Sequence, residues 1–218
     1  MPIIDHAMRL ITCKLVYYGP GRAGKTSNLS YLHASLPADQ VGNFTSLATR
    51  RDRTLFFDYM PVELGEVGAY RVRFQLYTVP GTMHNRSLRE LVLRDVDGVV
   101  FVVDSQRERL SDNLESLQDL HRNLVEHGIS MRELPFVFQY NNRDWPADDI
   151  LSAKALSDAL NFRGAPEFSA NAHTGDGVFE TLRSIGVQVL QRIGANRAMD
   201  PHHGDAQHGD THFGEAAA

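Results

Sequence analysis

A surplus of basic residues, a second cysteine and any long apolar run are all missing from this 218-residue chain. Each absence excludes something. A single cysteine, Cys13, cannot form an internal disulfide, which fits a reducing compartment. With 22 Lys and Arg against 27 Asp and Glu, there is no positive field to draw in nucleic acid or an anionic membrane surface. No stretch approaches the ~18–20 apolar residues that a membrane span requires. Residues 1–6 have neither the charged opening nor the apolar core of a secretory leader. Pro2 excludes myristoylation, and Ala216–Ala218 is no prenylation site. The expectation is a soluble, cytoplasmic chain with no integral membrane segment and no nucleic-acid partner.

What is present divides unevenly. From Met199 onward the chain holds Asp200, Asp205, Asp210 and Glu215 with no Lys or Arg, and it repeats His-Gly-Asp at His203 and His208. Such a Gly-rich acidic segment cannot build a core. We therefore expect one folded domain over 1–197 and a disordered tail over 198–218, with the tail's histidines solvated rather than gathered on a metal.

Within the domain, apolar runs alternate with amphipathic segments, the pattern of an α/β protein with a largely parallel sheet. The runs predict six strands: Leu10–Tyr18, Thr54–Pro61, Tyr70–Val79, Gly98–Asp104, Pro135–Asn141 and Glu167–Ala170. Gly98–Val103 and Phe136–Phe138 are continuous rather than alternating, as in central strands covered on both faces. The spacing predicts helices over Lys25–Leu36, Ser111–His127 (with Ser111 as N-cap and Gly128 past its end) and Val178–Ile193. The stripes Leu114, Leu117, Leu120, Leu124 and Val178, Phe179, Leu182, Ile185, Val189, Ile193 read as core packing.

Gly19-Pro20-Gly21-Arg22-Ala23-Gly24-Lys25-Thr26 matches G-x-x-x-x-G-K-[ST] in full, after an apolar strand and at the opening of a helix. Glycines let the backbone curl until successive N–H groups face phosphate oxygens, and the following helix adds its positive end. Gly19, Gly21, Arg22, Ala23, Gly24, Lys25, Thr26 and Ser27 are thus expected to cradle phosphates. Lys25 reaches the β/γ-phosphates, and the Thr26 hydroxyl is a Mg²⁺ ligand. The base is expected to be guanine. Asn141-Asn142-Arg143-Asp144 ends a buried strand with the first and last residues of N-K-x-D, whose Asp accepts two hydrogen bonds that adenine cannot donate. Asn142 stands where Lys is usual, which should weaken affinity. Ser169-Ala170-Asn171 resembles the loop whose backbone N–H faces the guanine oxygen.

Thr78-Val79-Pro80-Gly81 stands where small GTPases carry D-x-x-G. Together with Tyr17-Tyr18-Gly19-Pro20-Gly21 and Arg53-Thr54-Leu55-Phe56-Phe57-Asp58, it resembles the bacterial MglA group of Ras-like GTPases, which acts in gliding motility and cell polarity. The resemblance runs from about Cys13 to Leu182. It implies a P-loop NTPase fold, the Ras-like G domain: a mostly parallel six-stranded sheet with helices on both faces and nucleotide at the strand carboxyl ends. It also implies GTP/GDP and Mg²⁺ as cofactors. In that reading Thr54 joins Mg²⁺ and the γ-phosphate, Arg53 is a built-in arginine finger, and the Gly81 N–H contacts the γ-phosphate. Asp58 then supplies the carboxylate that Thr78 lacks, the alternative being an ordinary polar strand position.

Thr82 departs from the family's water-orienting Gln. Its side chain is about two heavy atoms shorter and carries one hydroxyl. The expectation is slow hydrolysis unless assisted, with Arg53 or His84 as the other candidates for placing water. The expected activator is a Roadblock/LC7-type homodimer meeting an arginine-rich switch surface: Arg50, Arg51, Arg53, Arg86 and Arg89. The alternative is a GTP-locked scaffold that recruits partners; a P-loop kinase or ATPase fits Asn141 and Asp144 less well.

Overall fold

The computed structural model describes residues 2–48, 56–79 and 86–198. In chain order the elements are β1 (Ile3–Asp5), β2 (Leu10–Tyr18), α1 (Lys25–Ser35), β3 (Thr45–Ala48), β4 (Phe56–Val67), β5 (Tyr70–Thr78) and α2 (Arg86–Leu93). There follow β6 (Gly98–Asp104), α3 (Leu110–Glu126), β7 (Phe136–Asn141), α4 (Ala153–Leu160), β8 (Glu167–Ser169) and α5 (Val178–Ala198). The strands form one sheet in the order β3-β4-β5-β2-β6-β7-β8. From β5 to β8 all pairings are parallel, while β3/β4 and β4/β5 are antiparallel.

The described sheet has eight strands where the sequence predicts six. The two additional strands, β1 and β3, are three and four residues long, too short to carry a readable alternation. β1 pairs with Leu10–Thr12 of β2, and β6 takes Leu15–Tyr18, so the two share one edge of β2 end to end. Of the strand expected over Thr54–Pro61, residues 56–61 are observed in β4, which runs on to Val67, while Thr54 and Leu55 lie outside the described residues. β4 continues through Pro61 because the carbonyl of that residue faces outward, accepting the Gly42 N–H at 2.9 Å. The missing N–H therefore falls on the outer edge, where the ladder with β5 does not need it.

Helices cover both faces. On one, Ile11, Leu15, Tyr17, Phe74 and Leu76 of the sheet pack under Leu29 and Leu32 of α1 and Leu182 and Ile185 of α5. On the other face Val16, Tyr18, Phe101, Phe136 and Phe138 pack under Leu117, Leu120, Leu124, Leu156 and Leu160. Phe101 is fully buried and stacked between Tyr18 and Phe136; such burial contributes about 2–3 kcal/mol per ring. Two stripe residues do not belong to the core: Leu114 and Phe179 are exposed, and Phe179 lies edge-on to Tyr31 at the surface.

Helix limits follow local chemistry. α3 starts at Leu110 on a 3₁₀ turn over Arg107–Arg109, with Arg109 at the cap and no side-chain cap bond. Ser111 is therefore inside the helix and is not its N-cap. Gly128, at φ +68°, ends it as expected. The unpredicted α4 is capped by Ser152, whose hydroxyl accepts the Ala155 N–H at 3.1 Å. No helix of the described residues is long and apolar enough to cross a membrane.

Candidate functional site

The loop between β2 and α1 turns its carbonyl groups outward onto donors. Lys25 Nζ donates to the carbonyls of Gly19 at 2.8 Å and Pro20 at 2.6 Å. Arg109 Nη2 donates to that of Gly21 at 2.9 Å, and Asn141 Nδ2 to that of Ala23 at 2.8 Å. The Gly24 carbonyl takes the Asn28 N–H and side-chain amide, both at 3.0 Å. In a planar trans peptide the next N–H points the opposite way, so the Gly21, Arg22 and Gly24 N–H groups are turned away from these donors, while Pro20 has no N–H and the Ala23 N–H donates to the Pro20 carbonyl at 3.4 Å. Two glycines are obligatory here. A Cβ on Gly19 (φ +142°) would meet the Val102 carbonyl oxygen at 2.1 Å, and one on Gly24 (φ +95°) the Asn141 amide at 2.0 Å. Arg22 also lies at positive φ, +68°, a position strained for a side chain.

Lys25 is buried among these carbonyls. Its ammonium is pushed down to about 7, first by burial and then by the Arg89 cation, with Asp58 offsetting part of the effect. A buried ammonium held only by carbonyl dipoles is short of negative charge. An anion beside it would supply that charge. Thr26 and Ser27 follow in the first turn of α1, with the Thr26 side chain at the surface of the site.

Beside that turn, Asp58 gathers three hydroxyls. Thr26 Oγ1 donates to Oδ2 at 2.6 Å, Thr78 Oγ1 to Oδ2 at 2.9 Å, and Ser46 Oγ to Oδ1 at 2.9 Å. The Asp58 N–H in turn donates to Thr78 Oγ1 at 2.9 Å. The pairing Tyr59↔Tyr77 sets Asp58 opposite Thr78, and Ser46 pairs with Asp58 directly. Asp58 thus sits where the apolar stripe Val62–Met60 of β4 ends in a polar cluster at the mouth of the loop. Among the described residues no group of three His, Cys, Asp or Glu could hold a metal. One carboxylate and a neighbouring hydroxyl, both hard oxygen donors, fit Mg²⁺, which keeps most of its shell for water and phosphate.

Asn141, at the end of β7, ties three loops together. It holds the Ala23 carbonyl, and its Oδ1 accepts the Ala172 N–H at 2.9 Å. Asn142 lies at φ +61°, which asparagine tolerates, with its Oδ1 accepting from Asn141 Nδ2 at 3.3 Å. Asp144 is exposed on the following turn, beside the half-exposed Trp145.

Ser169 closes β8, and the Ala170 N–H is engaged by the Tyr140 carbonyl at 2.7 Å as the ladder continues. Of the amides in the Ser169-Ala170-Asn171 segment, that of Ala170 is therefore spent on the sheet. The segment at Asn141 comes two residues later, at Ala172. It is shaped by Asn171, whose Oδ1 accepts the His173 N–H at 2.9 Å. The turn glycines Gly175 and Gly177 were its only sequence signal.

The model of the ADP-ribosylation factor family matches residues 11–188. Mutual gliding-motility protein MglA of Myxococcus xanthus (strain DK1622) is 47% identical over 193 residues, covering 88% of this chain and 98% of that protein. The chain belongs to this family, as an MglA-type small GTPase. ADP-ribosylation factor-like protein 6 of Caenorhabditis elegans is a more distant relative, 27% identical over 131 residues, 57% of this chain and 66% of that one.

This MglA-type fold accounts for one departure from the sequence reading. Arg89 belongs to no exposed switch surface: it is buried on α2 and ion-paired with Asp119 of α3, Nη1 to Oδ2 at 2.9 Å. Asp119 is also the acceptor for the Tyr18 hydroxyl at 2.5 Å. Arg50, Arg51, Arg53, Thr54, Gly81, Thr82 and His84 lie outside the described residues, as do the tail from Met199 and the side chain of Arg86.

Proposed function

We propose that this MglA-type GTPase binds GTP and GDP with Mg²⁺ and works as a switch whose GTP state is long-lived until a partner assists hydrolysis. The observation that carries the reading is the loop at Gly19–Thr26, whose carbonyls are held by Lys25, Arg109 and Asn141 around a buried lysine short of negative charge. Gly19, Gly21, Arg22, Ala23, Gly24, Lys25, Thr26 and Ser27 cradle the phosphates. Thr26, Thr54 and Asp58 hold the metal, with Thr78 bracing Asp58 and the Gly81 N–H at the γ-phosphate. Bound Mg²⁺ neutralises charge on the transferring phosphoryl group.

Hydrolysis breaks the bond between the γ-phosphorus and its bridging oxygen as water adds, releasing GDP and phosphate. Lys25 and Arg53 stabilise the charge that develops; an arginine in that role contributes ~10³–10⁵ in rate. Thr82, too short to orient the attacking water, keeps unassisted turnover slow. In single-turnover assays Thr82→Gln is expected to raise the intrinsic rate at least about tenfold. Equal rates would remove the slow-turnover reading.

Guanine is selected by Asp144, with Asn141 holding the loop and residues 169–172 forming the far wall. Asp144→Ala is expected to weaken GTP binding at least about tenfold and leave ATP binding unchanged, because the lost pair of hydrogen bonds has no counterpart on adenine. Fluorescence titration with labelled nucleotides measures both.

A relative named for mutual gliding motility supports a place in gliding motility or cell polarity. A Roadblock/LC7-type homodimer is the proposed activator. A pull-down whose yield is the same with GDP and a GTP analogue would refute it. The GTP-locked scaffold is the second reading. It is favoured by Asn142, whose side chain rests on Asn141 where a base-covering lysine is usual, and phosphate release in the presence of activator decides between the two.

A further inference from the structure

Arg109 sits where the 3₁₀ turn meets α3, 88 residues from the loop it touches. Its guanidinium has three neighbours at once. Nη2 donates to the Gly21 carbonyl at 2.9 Å, Nη1 pairs with Asp112, and Nε lies 3.8 Å from Asp104 Oδ2. Asp104 is itself fixed. It is buried at the end of β6, its N–H donates to Asn113 Oδ1 at 3.0 Å, and its carbonyl accepts from Asn113 Nδ2 at 2.8 Å. The anchor is therefore a rigid corner of the sheet and helix, and the guanidinium spans from it to the phosphate loop.

What it grips matters. The Gly21 carbonyl and the Arg22 N–H belong to one planar trans peptide and point in opposite directions. A donor that holds the carbonyl outward holds the Arg22 N–H on the concave side. Arg22 sits at φ +68°, a conformation that persists only where its surroundings impose it. Lys25 restrains the carbonyls of Gly19 and Pro20, and Asn141 that of Ala23, so Arg109 restrains the stretch between.

We propose that Arg109 is a positioning residue for nucleotide binding: it fixes the Gly21–Arg22 peptide with its amide aimed at phosphate, acting through the loop rather than on the ligand. Asp104 and Asp112 orient it for this task. The proposal rests on the nucleotide-binding reading above.

Release of the fluorescent nucleotide mant-GDP from the full chain with Mg²⁺ tests it. Arg109→Ala is expected to release mant-GDP about tenfold faster than the parent, the effect of one charge-assisted hydrogen bond. Arg109→Lys, which keeps a donor but loses the fork that meets three partners, is expected to recover to within about threefold. Thermal midpoints are read alongside. A lowered midpoint with unchanged release assigns Arg109 to folding alone and overturns the proposal, as does release from Arg109→Ala within twofold of the parent. If Arg109→Ala does not fold, Arg109→Gln carries the same test. A parent that fails to hold mant-GDP overturns the underlying nucleotide reading instead, so the two failures are distinct.

Discussion

Replacing Lys25 by alanine is expected to weaken mant-GDP and mant-GTP binding by about 100-fold, with the larger loss for the triphosphate. Two effects add. The variant removes a charge-assisted contact to phosphate, worth roughly 1.5–3 kcal/mol. It also leaves the Gly19 and Pro20 carbonyls without their donor, loosening a loop whose geometry depends on outward carbonyls. The position of the ammonium, drawn down to about 7 by burial and by Arg89, explains why a polyanion is the natural complement. An anion beside Nζ restores the charge that burial opposes. Fluorescence titration at fixed Mg²⁺ measures the loss. Parent-like affinity in the alanine variant would mean that the lysine serves only to cap its own loop, and the phosphate reading would fall.

Asp58→Asn is expected to raise the Mg²⁺ concentration needed to retain nucleotide by about 10–100-fold and to slow hydrolysis by a comparable factor. The substitution keeps the volume and removes the charge. It also replaces an acceptor of three hydroxyl bonds with a group that has one acceptor oxygen and an amide facing the same donors. If Asp58 were only a strand polar residue, the variant would lower the thermal midpoint and leave the Mg²⁺ titration where it was. The two readings therefore separate on the metal dependence of nucleotide release, not on stability. Thr78, which stands where an acid is usual, donates its hydroxyl to Asp58 across the β4–β5 ladder, and the proposed metal role of Asp58 rests on that contact.

Much of the frame was legible in one dimension. Leu10–Tyr18 and Gly98–Asp104 were predicted with the bounds observed, because the fully buried β6 is an unbroken apolar run and β2 alternates buried with half-buried positions before its buried end at Leu15–Tyr18. The loop at Gly19–Thr26 was legible because the positive φ of Gly19 and Gly24 favours glycine locally, although the close approach of Val102 and Asn141 that also demands it is tertiary. Of the short strands, β8 was predicted, as Glu167–Ala170, but β1 and β3 were not. β3 has four residues and draws its order from pairing with β4, which no local pattern records. α2 escapes local reading for the same reason: Arg89, expected on the arginine-rich switch surface, is buried against Asp119 on another helix.

The candidate site divides along the same line. Asn141 was singled out for its place after a strand, yet its reach to both Ala23 and Ala172 depends on how three loops meet. The Ser169-Ala170 pair is visible in sequence, whereas the capture of the Ala170 N–H by Tyr140 and the bond from the Ala172 N–H to Asn141 are visible only in the fold.

Composition, apolar periodicity and glycine placement by themselves determined an α/β chain with a phosphate loop between its first long strand and first helix, because each of these is set by interactions within a few residues. Only the tertiary structure decided which carboxylate stands by Thr26, which arginine steadies Gly21 and which amide meets Asn141. Those contacts join residues 32, 88 and 31 positions apart, and packing of the sheet alone brings them within hydrogen-bond reach.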